Sequence, residues 1–186
     1  MFEVFIIFAI AALSSVVLIV GAWLFLSLIG LIKTRVPYVP VPTAISDAVS
    51  DIVAQTTNPV VFYDIGSGDG RVVFSVASKI PTASAVGIEI SPAPFLLSLA
   101  KSAYKKLPRV QLRCVDAEKV SYRDATHIFL YLFPHMVKRL YPKLKQELQP
   151  GSVIISCDFP IVGVTPHEVK EVTAQYKKYT LYVYNV

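Results

Sequence analysis

The chain has 186 residues, of which 54% are hydrophobic, and a formal net charge of +5. Beyond an apolar N-terminal segment, about 150 residues remain, which suffices for one domain with its own core. Cys114 and Cys157 lie far apart in apolar segments, so we expect buried, reduced thiols and neither a disulfide framework nor a metal site.

The first element is an apolar segment long enough to cross a membrane. Residues 4–32 carry no charge, and about 20 apolar residues make a transmembrane helix. The segment has neither the basic start nor the cleavage site of a signal peptide. Glu3 precedes it, whereas Lys33 and Arg35 follow it, so the remainder is predicted to face the cytoplasm or the equivalent inner side of an organelle membrane. The basic net charge also suits an anionic leaflet, and since no arginine-rich run is present, no nucleic-acid partner is expected.

A proline-rich connector follows this anchor, which we assign to residues 1–35. Pro37, Pro40 and Pro42 favour extended backbone. Thr43 is a candidate N-cap for a short amphipathic helix over residues 44–54. Connector and short helix together make up residues 36–59, and the main domain is residues 60–186.

Strand and helix patterns alternate through the main domain. Apolar runs predict strands at residues 60–65, 83–90, 110–115, 126–132 and 152–157, with helices at 70–79, 92–106 and 135–148. Pro142 is expected to kink the last helix. Two further strand-like pieces lie within residues 171–186. This order predicts an α/β fold with a Rossmann-like, doubly wound, mostly parallel sheet and a C-terminal antiparallel hairpin.

The most informative motif is the glycine-rich loop that follows the first strand. Asp64 ends that strand, and the loop then runs directly into a helix through Gly66, Ser67, Gly68, Asp69 and Gly70. Glycines let the backbone approach a ligand closely, and the start of a helix offers unpaired amides. Because ligands of such sheets bind at the carboxyl ends of the strands, this loop predicts a nucleotide-like cofactor.

The next two strands end in residues that complete such a site. Glu89 ends the second strand and is suited to bind two ribose hydroxyls. Asp116 and Ala117 follow the third strand, where the Asp116 carboxylate can accept a hydrogen bond from an adenine amino group. Each residue alone has a simpler explanation, as a turn glycine for Gly68 or a solvated strand end for Glu89, but their order favours a cofactor.

Spacing and charge distinguish between two cofactor classes. A dinucleotide loop reads G-x-G-x-x-G/A, whereas here Arg71 occupies the last position and Gly70 comes one residue early. Asp64 and Asp69 would repel a pyrophosphate but tolerate a sulfonium or an ammonium group. An alternative for Asp64 is an N-cap or an ion pair with Arg71. The residues together predict S-adenosylmethionine as the cofactor.

Residues 64–71 resemble motif I of the class I S-adenosylmethionine-dependent methyltransferases. More narrowly, nearly the whole chain is similar to membrane-anchored protein-lysine methyltransferases, related to the enzymes that modify the adenine nucleotide translocase and the ATP synthase c-subunit. The similarity covers the N-terminal span and residues 37–40, 64–71, 129–134, 158–160 and 165–166. It implies N-methylation of lysine in a membrane-associated protein. The compact domain leaves little room for an added substrate-recognition domain.

The resemblance places the methyl acceptor beside the end of the fourth strand, at Tyr131, Phe133 and Pro134. The Asn/Asp-Pro-Pro-aromatic motif of base methyltransferases is absent there, which argues against nucleic acid as substrate. Tyr131 and Phe133 would line the path of a lysine side chain through cation–π and apolar contacts. Packing in the core explains these two aromatic residues equally well.

Two further roles are assigned to polar residues. A lysine acceptor must lose a proton before it is methylated, and Asp158 is the main candidate to orient the amine or relay the proton, with His135 and His167 as weaker ones. Tyr38 lies on the connector and is a candidate lid over the cofactor, or else an aromatic at the membrane interface.

Two other functions remain open at this stage. One is methylation of a lipid head group or small amphiphile, which the anchor suits equally. The other is a membrane-tethered module that binds the cofactor without turnover. Substituting Asp64→Ala or Glu89→Ala should abolish methylation but leave a scaffolding role intact.

Overall fold

A seven-stranded mixed sheet forms the centre of the fold in a computed structural model that describes residues 1–34, 38–56 and 59–186. The strands are β1 Val61–Ile65, β2 Ser84–Glu89, β3 Val110–Cys114, β4 His127–Leu130, β5 Val153–Cys157, β6 Glu168–Ala174 and β7 Lys177–Asn185. Their spatial order is β3-β2-β1-β4-β5-β7-β6. The first five strands are parallel, so their carboxyl ends meet at one edge, whereas β7 runs antiparallel between β5 and β6.

In the described part of the chain, five helices and one short 3₁₀ turn accompany the sheet. They are α1 Phe2–Thr34, α2 Thr43–Val53, α3 Arg71–Lys79, α4 Pro92–Lys105 and α5 Pro134–Glu147, with the 3₁₀ turn at Ala117–Lys119. The connections that lead from one parallel strand to the next contain α3, α4 and α5, as a doubly wound sheet requires. The predicted α/β class, parallel sheet and antiparallel C-terminal hairpin are therefore confirmed.

Apolar side chains cover both faces of the sheet. On one face, Ile45 and Val49 of α2 and Val73 of α3 pack in a cluster with Phe62 and Phe129. On the other face, side chains of α5 and of the loop before β4 pack against the sheet; this second cluster contains Ile65, Tyr122, Ile128, Leu140 and Leu144. Because β1 and β4 are covered on both sides, their residues are almost continuously apolar.

Several details differ from the sequence predictions. Thr43 is the first residue of α2 and not its cap, since the N-cap is Pro42 and no side chain caps the helix. The hairpin begins earlier than predicted, at Glu168. Cys114 is exposed, although Cys157 is buried as expected: β3 is an edge strand, and none of its residues is fully buried. The α-helix α5 continues through Pro142.

The N-terminal helix α1 extends away from the sheet. Among the described residues, one helix is long and apolar enough to cross a membrane, over Phe2–Gly30, and its most apolar stretch is not buried against the rest of the chain. Its last turns contact α4, where an added Cβ on Gly30 would lie 2.9 Å from the Ser91 side chain. Arg35 and the side chain of Lys33, on which the predicted orientation depends, lie outside the described part of the chain.

Candidate cofactor and acceptor site

Two connected cavities lie at the carboxyl edge of the parallel strands. The larger one has a volume of about 240 Å³ and the smaller one about 30 Å³. Tyr38, Gly66 and Tyr131 line both, so the two form one elongated site. It lies where ligands of open α/β sheets bind, beside the central strands β1 and β4.

Most residues that the sequence predicted for the site line these cavities. Those in the larger cavity are Tyr38, Gly66, Glu89, Asp116, Ala117, Tyr131 and Phe133, and the smaller one adds Asp64, Ser67 and Asp69. Gly68, Gly70, Pro134 and Asp158 do not line either cavity. The first two shape the glycine loop, and Pro134 begins α5.

Asp64 gives the smaller cavity a buried carboxyl group with one unpaired oxygen. Its residue is 2% exposed, and its Oδ2 atom is buried without a hydrogen-bond partner. Burial, together with the nearby carboxylates of Glu89 and Asp69, raises the pKa of Asp64 well above its usual value. Arg71 pairs with Asp69 instead of Asp64, so the alternative of an Asp64–Arg71 ion pair is wrong. A cation bound beside such a carboxyl group stabilises its ionised form, and the ammonium group of S-adenosylmethionine fits that role.

Tyr38 covers the outer side of the glycine loop. Gly68 has a φ of +55°, and an added Cβ would lie 2.3 Å from Cε2 of Tyr38, so only glycine allows the ring to lie this close. Burial, followed by the charge of Asp69 and a hydrogen bond with it, raises the pKa of the Tyr38 hydroxyl to about 12. Tyr38 therefore lies over the loop and beside both cavities, the position that a lid on the connector would occupy.

Asp69 is held by two cations and so contributes little free charge. Arg71 donates to both of its carboxylate oxygens, at 3.0 and 2.7 Å, and Lys101 of α4 donates at 2.5 Å. Burial opposes ionisation of Asp69, but the hydrogen bonds from Arg71 and Lys101 outweigh it and lower its pKa. Arg71 also donates to the carbonyl of Val41 at 2.5 Å, which fastens the connector to the loop. Charge selection in the cavity thus comes from Asp64 more than from Asp69.

Glu89 and Asp116 mark the other end of the site. Glu89 is buried and accepts hydrogen bonds from the Gly68 amide at 2.9 Å and the Ser91 amide at 2.7 Å. Each oxygen keeps a lone pair for a further donor, such as a ribose hydroxyl. Asp116 accepts from the Glu118 amide at 3.0 Å and lies with Ala117 at the far side of the larger cavity. These positions suit a nucleoside whose sugar lies at Glu89.

Aromatic side chains surround the mouth of the larger cavity. Phe133 stacks on Phe159 at a ring-centroid distance of 5.9 Å and on His135 at 6.2 Å, and all three line the cavity together with Tyr131. The prediction from the sequence had Tyr131 and Phe133 but missed Phe159. The signals for Phe159 were its place two residues after the fifth strand, at the same sheet edge, and its position within the resembling segment 158–160.

Asp158 lies near Tyr131 but does not line either cavity. Its Oδ2 accepts from Lys177 at 2.7 Å and its Oδ1 from the Thr180 amide at 3.2 Å, which fixes the start of β7 beside the end of β5. Lys177 itself lies over the Tyr179 ring, 4.2 Å from its centroid. His167 is exposed and does not line the cavities, whereas His135 does. No group of His, Cys, Asp or Glu that could hold a metal occurs among the described residues.

Known proteins resemble this chain in sequence and structure. It is 31% identical over 151 residues to a protein-lysine N-methyltransferase of Saccharolobus islandicus (strain REY15A), covering 81% of this chain and 93% of that protein. It is also 30% identical over 133 residues to an adenine nucleotide translocase lysine N-methyltransferase of Mus musculus, covering 70% of this chain but only 56% of that protein. The chain thus spans less than two thirds of the length of this vertebrate relative.

A solved structure agrees with the cofactor assignment. The crystal structure of an RNA methyltransferase from Salinibacter ruber in complex with S-adenosyl-L-homocysteine matches with a TM-score of 0.70 and 29% identity, covering 79% of this chain and 93% of that one. The model of the ANTKMT methyltransferase domain matches residues 64–168, more than half of the chain. The protein therefore belongs to the ANTKMT methyltransferase domain family and is an S-adenosylmethionine-dependent methyltransferase.

Proposed function

We propose that the protein methylates the side-chain amine of a lysine in a membrane-associated protein. The observation that carries the proposal is the aromatic mouth of the larger cavity, formed by Tyr131, Phe133 and Phe159. Aromatic faces attract a cationic or methylated amine and shield it from water. The names of the sequence relatives, which are lysine N-methyltransferases, support the same substrate class.

Each binding role falls to a residue of the loop or of a strand end. Asp64 binds the ammonium group of the cofactor, Glu89 its ribose hydroxyls and Asp116 its adenine amino group, while Tyr38 covers the loop. When bound, S-adenosylmethionine supplies a methyl group activated by the positive sulfur. The remaining contacts come from Gly66, Ser67 and Ala117, which line the cavities, and Gly68 and Gly70, which shape the loop.

The chain's own task is to position the acceptor amine and free it of its proton. A lysine has a pKa near 10.4 in water, so only about 0.1% or less of it is neutral at pH 7. Transfer to the apolar surroundings of Tyr131 and Phe133 lowers that pKa and yields the nucleophile. His135 lines the cavity and is better situated to accept the proton than Asp158, which is paired with Lys177. Alignment of the amine for in-line attack provides the remaining acceleration.

We further propose that α1 anchors the protein in a membrane, with the catalytic domain on the cytoplasmic or equivalent inner side. The support is the length and composition of Phe2–Gly30 and the basic flank that follows in the sequence. On this division, the anchor is residues 1–35, the connector with α2 is residues 36–59, and the methyltransferase domain is residues 60–186. The fastening of Val41 by Arg71 ties the connector functionally to the domain.

A labelling experiment tests the substrate class. The full-length protein, with S-adenosylmethionine carrying a labelled methyl group, is incubated with native membranes, extracted lipids and RNA in separate reactions. We expect label in membrane protein, recovered as methyl-lysine after hydrolysis. The Asp64→Asn variant should incorporate at least about a hundredfold less, because it lacks the charge that pairs with the cofactor.

Other outcomes would contradict the proposal in distinct ways. Label in extracted lipid would favour a head-group methyltransferase. Label in RNA would favour the substrate class named for the structural relative from Salinibacter ruber, which is 29% identical. Binding of S-adenosylhomocysteine without label in any fraction would favour a non-catalytic module.

A further inference from the structure

Helix α4 has an unusual distribution of side chains. Its inward positions are taken by Ala93, Pro94 and Ser98, which are buried. Phe95 is half-buried, but the three leucines point outward: Leu96, Leu97 and Leu99 are 45%, 37% and 41% exposed. Single exposed leucines are ordinary on protein surfaces, but several on one helix, with small residues on its inner side, indicate a surface selected for contact.

The exposed leucines continue into a longer stripe. Ala100, Ala103 and Tyr104 are exposed along the same helix, and they lie near Leu96 at the spacings that place residues on one helical face. The helix ends with Lys105 and Lys106, which are also exposed. An apolar stripe flanked by lysines is the pattern of helices that lie in the interface of a bilayer with anionic lipids.

The N-terminal helix brings a bilayer to this surface. In α1, Leu26, Ser27, Ile29 and Gly30 are partly or fully buried against the domain, and Gly30 packs on Ser91 at the start of α4. Residues 2–25 remain outside the domain and form a helix about 36 Å long at 1.5 Å per residue. This length suits a hydrocarbon core of about 30 Å, so the membrane surface would lie close to residue 25, next to the start of α4.

We infer that the exposed face of α4 inserts into the interfacial region of the bilayer that α1 spans. The inference rests on the membrane anchoring in the proposed function and adds a second point of attachment. Two attachments, α1 across the membrane and α4 along it, fix the tilt of the domain. Since α4 begins directly after Glu89 and Ser91, which line the larger cavity, this tilt directs the opening of the cavity towards acceptors close to the lipid surface.

Binding of α4 to the membrane would also affect the cofactor loop, because α4 contacts that loop. Lys101, in the middle of α4, donates to Asp69 at 2.5 Å, and Ser98 lies within 3.2 Å of the position of an added Cβ on Gly70. A displacement of α4 therefore changes the loop directly. The lipid contact is expected to stabilise the arrangement in which the loop binds the cofactor.

Tryptophan fluorescence in vesicles tests the inference, because Trp23 is the single tryptophan of the chain. The full-length protein is reconstituted in vesicles of phosphatidylcholine and phosphatidylglycerol, with or without bromine on the acyl chains near the head groups. In a Trp23→Phe background, Leu97→Trp reports on α4. The matched control is Val186→Trp, because Val186 is 36% exposed against 37% for Leu97 and lies beside Ser152 at the opposite edge of the sheet.

We expect bromine to reduce the emission of the Leu97→Trp protein at least about twofold and to leave the Val186→Trp protein unchanged. If bromine leaves the emission of both variants unchanged but still quenches Trp23 in the unsubstituted chain, the inference about α4 is overturned and the membrane anchor is preserved. It would leave α4 as a surface for a protein partner or a second copy. An unquenched Trp23 would overturn the anchor and the inference together.

A second variant keeps the test independent of the inserted tryptophan. The triple substitution Leu96→Gln, Leu97→Gln and Leu99→Gln changes exposed side chains and should leave the domain folded. Methylation of acceptors embedded in vesicles is expected to fall about tenfold, with binding of S-adenosylhomocysteine in detergent unchanged. Unchanged methylation of embedded acceptors would count against the inference.

Discussion

At the scale of single residues, the closest fit in the site is between Gly68 and Tyr38. The glycine has a left-handed backbone, and the ring of Tyr38 occupies the space where any other residue would have its Cβ. The loop amide of Gly68 also donates to Glu89. Gly68 therefore contacts both Tyr38, which covers the site, and Glu89, which we assign to the ribose.

Substitution Gly68→Ala should weaken cofactor binding at least about tenfold and destabilise the domain by about 2 kcal/mol. The added methyl group displaces Tyr38 and shifts the amide that Glu89 accepts from. Isothermal titration with S-adenosylhomocysteine and chemical unfolding of the detergent-solubilised protein measure both effects.

Gly163→Ala is the matched control for backbone strain. Gly163 has a φ of +79° with no atom within 4 Å of an added Cβ, so its loss of stability should stay near about 1 kcal/mol with unchanged binding. Equal binding defects in both variants would show that strain, and not the contact with Tyr38, is responsible.

The sequence predicted the residues at strand ends better than those that meet across the fold. Glu89 and Asp116 could be found because the carboxyl end of a parallel strand defines their place. The partner of Asp158 could not, because the pairing with Lys177 depends on how the last hairpin docks. Likewise, nothing in the sequence indicated that Lys101, on a helix, would neutralise Asp69 and leave Asp64 as the carboxyl group without an ion pair.

At the scale of elements, His127 links the start of β4 to the segment after α2. Its ring nitrogens lie 2.9 Å from the hydroxyl oxygens of Thr56 and Thr126. Burial lowers the pKa of His127 from 6.5 to about 4. His127 is thus a neutral residue that joins two segments at the amino-terminal edge of the sheet, opposite the active site.

The contribution of His127 to the stability of the domain should therefore decrease in mildly acidic solution. The folded pKa of His127 lies below the unfolded one, so its contribution is complete above pH 6.5 and is lost as the pH falls from there towards about 4. We expect a loss of about 2–3 kcal/mol over that range. Chemical unfolding at a series of pH values measures it.

His127→Gln is the control, because glutamine forms hydrogen bonds but does not titrate. Its stability should vary less between pH 6.5 and about 4 than that of the unsubstituted chain. The lowered pKa of Asp69 acts below this range, where protonation removes its ion pairs in both proteins. Identical pH profiles of the two proteins across the range would exclude His127 as the cause.

Elements were predicted almost to their ends, with an instructive exception. The sequence pattern predicted where α4 lies in the chain, but not which of its faces is buried. The buried face consists of Ala93, Pro94 and Ser98, which are not the large apolar residues that usually mark such a face. Small residues allow close approach to β2, β3 and the glycine loop, which leaves the leucines outside. The general rule that leucines mark the inner face fails for this helix.

At the scale of the whole molecule, the two cysteines provide a test of the proposed membrane orientation. Cys114 is exposed on the edge strand β3. Cys157 is buried, and burial raises the pKa of its thiol to about 12, so it should not react, because the thiolate is the reactive form. The chain thus carries one exposed and one buried thiol in the same domain.

A maleimide that cannot cross membranes should label the native protein from the cytoplasmic side only. Inverted vesicles are expected to label and sealed right-side-out cells or organelles are not, with at least about a tenfold difference. The measurement is the mass shift of the purified protein. Cys114→Ser should abolish labelling, and labelling from the outer side would reverse the proposed orientation.

The hydrogen bond from Arg71 to the Val41 carbonyl limits where an active, water-soluble fragment of the protein can begin. A protein that begins at Thr43 would retain every strand of the sheet and all of α2 to α5. It would nevertheless lose Tyr38 and the carbonyl that Arg71 holds, and with them the cover of the cofactor loop. Such a truncation is expected to be well folded but catalytically poor, so correct folding is not a sufficient criterion for choosing where an active fragment starts.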